Sequence, residues 1–154
     1  MSQLVVEQVP VNEEDVNYLI RNLREADIEE VKASHGVHPG ILLGLMRPDE
    51  ATIGKADGVP VCVYGVAPKT LISNGGGTVW MMATDQLFKH KLAFLRRNRK
   101  WIKEKLKEFG TLDNHVDARN KTSISWLRWL GFNIEEAKPY GVMQLPFHRF
   151  SMGE

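Results

Sequence analysis

Residues 120–132, Asn-Lys-Thr-Ser-Ile-Ser-Trp-Leu-Arg-Trp-Leu-Gly-Phe, constrain the fold of this chain most. Asn120 has the chemistry of a helix N-cap, because its side-chain oxygen can accept an N–H of the first turn. Ile124, Leu127 and Leu130 recur at spacings of three, so one face of the helix is apolar. Gly131 supplies a helix stop, and Phe132 opens an extended run to Glu136. A strand-like segment, Thr111 to Arg119, precedes the helix. A strand–helix–strand unit of this kind needs a sheet to pack on. Neither Trp126 nor Trp129 lies at the centre of the apolar face, so one of them is expected as an exposed anchor.

The remaining chain supplies that sheet. Leu4, Val6 and Val9 predict a short first strand. Asn12 precedes Glu13, Glu14 and Asp15, acids suited to the positive end of a helix. Val16, Leu19, Ile20 and Leu23 form its stripe. Ala26 to Ser34 reads as a second helix ending at Gly36, and His38-Pro39 starts a short third one closed by Pro48. Ala51 to Ala56 and Val59 to Val66 read as strands joined by a type I′ turn at Asp57-Gly58. Asn74 to Gly77 is a flexible connection. Thr78 to Thr84 is continuously apolar, as in a central strand covered on both faces.

A long helix is predicted from Asp85 to Phe109, ended by Gly110. Its stripe is Phe88, Leu92, Leu95, Ile102, Leu106 and Phe109. A helical wheel places Arg99 within that stripe, so Arg99 is expected to be buried against Asp113 or Asp117. Met143 to Phe150 is the last strand, with Pro146 arguing for an edge or a bulge. The fold class is α/β (α+β mixed): a single domain over residues 1–154, with a mixed sheet and helices on both faces.

At 154 residues the chain is long enough to bury a core, and no apolar run reaches bilayer-spanning length. No membrane partner is expected. The first residues lack the basic and apolar regions of a signal peptide, and Cys62 reads as a buried apolar residue. A reducing, intracellular location is therefore expected. The net charge is only +1 but is unevenly spread. Residues 1–57 carry 11 acids against 5 Lys or Arg, whereas residues 89–107 carry 9 Lys or Arg against Glu104 alone. Arg96, Arg97, Lys100, Lys103 and Lys107 fall off the apolar stripe. They form either a solvated helix face or a row able to track the phosphates of a nucleic acid.

Other candidate chemistry is sparse. His115 and Asp117 alternate on one strand and share a side. His35, His38, His90 and His148 lack metal-ligand spacing, so no metal site is expected. Gly75-Gly76-Gly77 lacks the Gly-Lys-Ser/Thr of a P-loop.

The order of elements, the Asn120 helix with its terminal Gly131-Phe132, and the run Trp80-Met81-Met82-Ala83-Thr84-Asp85 together resemble the GNAT N-acetyltransferase fold. With Asp117-Ala118-Arg119-Asn120 and Trp129-Leu130-Gly131-Phe132, residues Val79 to Phe150 are most similar to the small GNAT-like proteins of tailed phages, the internal virion protein A type among them. The resemblance implies acetyl-CoA as cofactor in active members. There, an Arg/Gln-x-x-Gly-x-Gly/Ala loop lets bare backbone N–H groups approach the CoA pyrophosphate. The equivalent stretch here, about Lys89 to Leu95, has no glycine, and Phe94 and Leu95 stand near the close-approach positions. The Tyr that many such enzymes place seven residues after the Asn is Leu127 here, which carries no proton.

Three expectations follow. The first is a degenerate GNAT scaffold acting through a protein partner in virion assembly, in the host cytoplasm or the particle, with no cofactor and no catalytic residue. The second is an active N-acyltransferase that holds acetyl-CoA at Met82, Thr84 and Asn120, with Lys89, Lys91 and Arg96 replacing the backbone cradle. The third is nucleic-acid binding through Arg96, Arg97, Lys100, Lys103 and Lys107.

Overall fold

The computed structural model describes residues 4–72 and 74–153. Eight strands form one mixed sheet: β1 (Val6–Pro10), β2 (Thr52–Ala56), β3 (Val59–Pro68), β4 (Gly77–Ala83), β5 (Leu112–Asp117), β6 (Asn133–Ile134), β7 (Lys138–Tyr140) and β8 (Leu145–Met152). The order across it is β1-β2-β3-β4-β5-β8-β6, with β7 also on β8. All pairs are antiparallel except β4 with β5. Asp57 and Gly58 both have positive φ, 49° and 79°, as a type I′ turn between β2 and β3 demands.

One face carries α1 (Glu13–Asn22), α2 (Glu25–His35) and α3 (Pro39–Gly44). Val16, Leu19, Val31 and Leu43 pack there on Ile53, Val63 and Met82. The other face carries α4 (Lys91–Phe109) and α5 (Lys121–Leu130). Phe94 meets Cys62, Tyr64 and Ala83, while Ile102 and Ile124 meet Leu112, Val116 and Phe150. The helix caps form as the sequence implies. The Asn120 side chain accepts from the Ser123 N–H, and Gly131 takes φ 102° at the C-terminal end. Burial pushes the Cys62 thiol up to about 12, which leaves it inert at neutral pH.

Three expectations are corrected. The long helix does not start at Asp85, because Asp85–His90 winds as a 3₁₀ helix and α4 begins at Lys91. Phe88 and Leu92 are exposed, by 41% and 63%, and the buried face of α4 is Phe94, Leu95, Asn98 and Ile102. With Phe88 and Leu92 outside it, the buried face turns away from Arg99. Arg99 is in fact exposed and has no carboxylate partner among the described residues. Its guanidinium stacks 4.1 Å from the Trp129 ring and donates to the Trp129 carbonyl at 3.2 Å. Finally, Pro146 is neither at an edge nor in a bulge. It lies in β8 opposite Pro139 of β7. Its carbonyl accepts from the Ala118 N–H just past the last β5–β8 pair, Asp117–Phe147, so its missing N–H falls at the end of that ladder.

Candidate functional site: the wedge between β4 and β5

β4 and β5 pair only at Gly77–Leu112 and Thr78–Asp113. Beyond those residues they diverge and leave a wedge open at their C-terminal ends. Parallel strands that part in this way expose backbone N–H and C=O groups, which need partners wherever they are buried.

The start of the wedge is bridged by Asn114, whose side-chain amide donates to the Val79 carbonyl at 2.9 Å. Its wide end is stapled from α2. The Asp27 carboxylate accepts from the Ala83 N–H at 2.8 Å, and the Arg24 N–H donates to the Ala83 carbonyl at 2.9 Å. One turn further along α2, Glu30 accepts from the Asp117 N–H at 2.8 Å. Thus one helix holds both lips of the wedge.

A buried polar network joins the two staples. Arg24 donates to Asp27 at 3.3 Å and to the Asn120 side-chain oxygen at 3.4 Å. Asn120 in turn donates to Glu30 at 3.4 Å. Arg24 also lies over the Phe88 ring at 5.2 Å, and Phe88 packs against Trp126 with centroids 6.1 Å apart. Arg24 and Asp27 are both buried. Burial raises the Asp27 carboxyl, against the opposing pull of Arg24 and the Ala83 N–H. Burial likewise raises Glu30, to about 7, outweighing its bond from Asp117, while the nearby Asp27 charge adds to the rise.

Each residue singled out from the sequence has a defined place. Met82 faces away from α4, into the cluster under α1 and α2. The Thr84 hydroxyl caps the 3₁₀ helix by accepting from Gln86, and its N–H donates to the Val61 carbonyl. Asn120 caps α5 and sits in the Arg24–Glu30 network. Only Thr84 and Asn120 therefore come near the wedge, and both are engaged in holding the fold. His115 and Asp117 share a side but do not bond. His115 stacks on Tyr140 at 3.8 Å. Asp117 is held by the Arg119 guanidinium at 2.7 Å, which outweighs burial and keeps its carboxyl below the usual range.

Where the resemblance implies a pyrophosphate cradle, the 3₁₀ helix runs directly into α4 and no glycine lies between Gly77 and Gly110. Phe94 is buried against Gly54, whose absent Cβ leaves the room, since an added Cβ would lie 2.8 Å from the Phe94 ring. Strand alternation turns the Met81 N–H and C=O the same way as those of Ala83, into the wedge, and none of the staples takes them. Beside Met81 lies an apolar cavity of about 80 Å³, lined in part by Tyr64, Asn98, Trp101, Leu127 and Phe132. Ligand pockets are usually several hundred Å³. Among the described residues no cluster could hold a metal ion, and no helix is long and apolar enough to cross a membrane.

Arg24, Asp27 and Glu30 escaped the sequence reading. The one available signal was their i, i+3 spacing on a helix with no clean apolar stripe. Such a pattern reads as a surface ion-pair row unless the wedge is known.

No protein-family model and no curated protein matches the chain. Solved structures do. A GNAT-family acetyltransferase from Bacillus anthracis aligns with TM-score 0.69 at 9% identity, over 98% of this chain and 95% of that one. Ard1 from Thermoplasma volcanium aligns with TM-score 0.66 at 14% identity, over 96% of both chains. The ribosomal-protein-S5-alanine acetyltransferase from Vibrio fischeri aligns with TM-score 0.64 at 20% identity, over 99% and 93%. Identities this low speak for architecture alone, and with the splayed β4 and β5 they establish that the chain has the GNAT acetyltransferase fold.

Proposed function

We propose that this chain uses the GNAT fold as a scaffold for protein contact and does not turn over an acyl-CoA. The observation that carries the reading is the stapled wedge. The Ala83 and Asp117 backbone groups that the splay exposes are occupied by Asp27, Arg24 and Glu30 of the chain itself. The helix start that would meet a pyrophosphate has no glycine to bring bare backbone close to a ligand. Contact surface is present elsewhere, with Leu71 and Ile72 exposed in the β3–β4 connection.

The particle role rests on the resemblance of Val79 to Phe150 to small phage proteins. It is tested by mass spectrometry of purified, protease-treated particles of a phage encoding the chain. The reading expects the chain inside the protease-resistant particle. Its absence there, with the chain present in infected cells, contradicts a virion role.

A second reading, an amine acyltransferase, is favoured by one specific pair of features. Glu30, raised to about 7, has the proton affinity of a general base at neutral pH, and the Met81 backbone groups, which the α2 staples do not take, face the same wedge. In this reading acetyl-CoA is the cofactor, and the exposed Lys89, Lys91 and Arg96 meet its phosphates.

A further inference from the structure

Helix α4 carries eight Lys or Arg against Glu104 and Glu108, and α5 beside it carries Lys121 and Arg128 with no acid. Glu108 is already paired with Lys105 at 3.1 Å. Arg96, Lys100, Lys103 and Lys107 are exposed and have no acidic partner among the described residues. At 3.6 residues per turn these four fall within an arc of roughly 60° and span about 16 Å along the helix. They form one straight row of cations, with Glu104 the one acid at its edge.

A second feature lies at the flank of the row. Trp129 is 42% exposed, and Arg99 stacks on it at 4.1 Å while bonding to its carbonyl. A flat aromatic surface with a guanidinium plane thus stands beside the cations. Bases stack on such surfaces, and phosphates follow such rows. Across the sheet, α1 and α2 carry seven acids against Arg21 and Lys32. That polarity favours approach of a polyanion to the α4–α5 face.

We propose that the outer face of α4 and α5 is a nucleic-acid-binding surface, with Arg96, Lys100, Lys103 and Lys107 on phosphates and the Arg99–Trp129 stack beside a base or sugar. This surface shares Arg96 with the acyltransferase reading but rests on neither reading above. An acidic protein segment would satisfy the charge but would have no use for the regular row or the stacked aromatic.

The test is fluorescence anisotropy with a labelled 20-nucleotide single strand and a 20-base-pair duplex, from 50 to 200 mM salt. Four phosphate contacts give a slope of log affinity on log salt of about −2.8 for the single strand and −3.6 for the duplex. The duplex is then expected to weaken by roughly 100-fold over that range. The variant Arg96→Glu/Lys100→Glu/Lys103→Glu should lose measurable binding while keeping its melting temperature. Lys32→Glu/Lys138→Glu, exposed cations elsewhere, should bind within about threefold of the parent once its lower net charge is counted. Binding to either oligonucleotide with this pattern supports the proposal, and the two arms show which form is preferred. It is overturned by absence of binding at 50 mM salt, by equal binding of the triple variant, or by poly-glutamate displacing the oligonucleotides at equal charge. Self-association seen by sedimentation in place of oligonucleotide binding would also overturn it, assigning the row to the acidic face of a second copy.

Discussion

Glu30 and Asp27 lie one turn apart on α2 and take the backbone N–H groups of opposite lips of the wedge, Asp117 and Ala83, each at 2.8 Å. The two carboxylates do for the splayed strands what a neighbouring strand would otherwise do. They also concentrate buried acid at one place, and stability should therefore respond to pH there.

Unfolded Glu30 loses its proton near 4.5, whereas the folded carboxyl keeps it to about 7 because burial disfavours the charge. A raised folded value means that this contribution is fully present below pH 4.5 and is lost as pH rises through 7. Glu30→Gln keeps an oxygen for the Asp117 N–H and removes the titration. The variant should nearly match the parent at pH 4.5 and exceed it by roughly 3 kcal/mol at pH 8. Urea unfolding at both pH values measures this. A variant equally or less stable at pH 8 would show that the carboxylate is not penalised in the fold.

Arg24 is the buried cation that faces Asp27. Arg24→Ala should cost about 3–5 kcal/mol, because Asp27 is left buried without its counter-charge. The double variant Arg24→Ala/Asp27→Asn should recover part of that loss. If the single variant costs under about 1 kcal/mol, in the range of a surface pair, the network is not a buried one.

Trp126 and Trp129 should differ in the same assay. Trp126 is partly buried and packs on Phe88, whereas Trp129 stands out under Arg99. Trp126→Ser should destabilise the fold clearly more than Trp129→Ser. Arg99→Ala should cost at most about 1 kcal/mol, as an exposed cation–π contact does. Equal losses for the two tryptophans would remove the distinction.

Phe94→Ala should cost about 3–5 kcal/mol, since the ring is buried against Gly54 and Cys62 and its loss leaves a cavity. Chemical denaturation checks it. A near-neutral effect would mean that the position is free to revert to the small residue a phosphate cradle needs.

The layering was legible in the sequence because it rests on local signals. Asn120 and Gly131 bound α5, Asp57-Gly58 makes the turn it should, and Ile124, Leu127 and Leu130 point inward. The lack of a glycine cradle was legible for the same reason, since only composition was needed. The wedge chemistry was not. Arg24, Asp27 and Glu30 act on residues 56 to 96 positions away in the chain, and no periodicity encodes such contacts. Arg99 was misplaced because Phe88 and Leu92 lie outside the buried face, and hydrophobic spacing alone does not mark where a 3₁₀ turn gives way to an α-helix.

The central claim, that the wedge and the start of α4 do not accommodate acetyl-CoA, is tested most directly by thermal melting with acetyl-CoA, with ATP as the anionic control. A ligand of the native state at about one hundred times its dissociation constant stabilises by roughly 2.7 kcal/mol, a shift of several degrees in a domain of this size. The account predicts no shift with acetyl-CoA beyond that seen with ATP at millimolar ligand. A reproducible shift of several degrees with acetyl-CoA alone would contradict it and favour the acyltransferase reading.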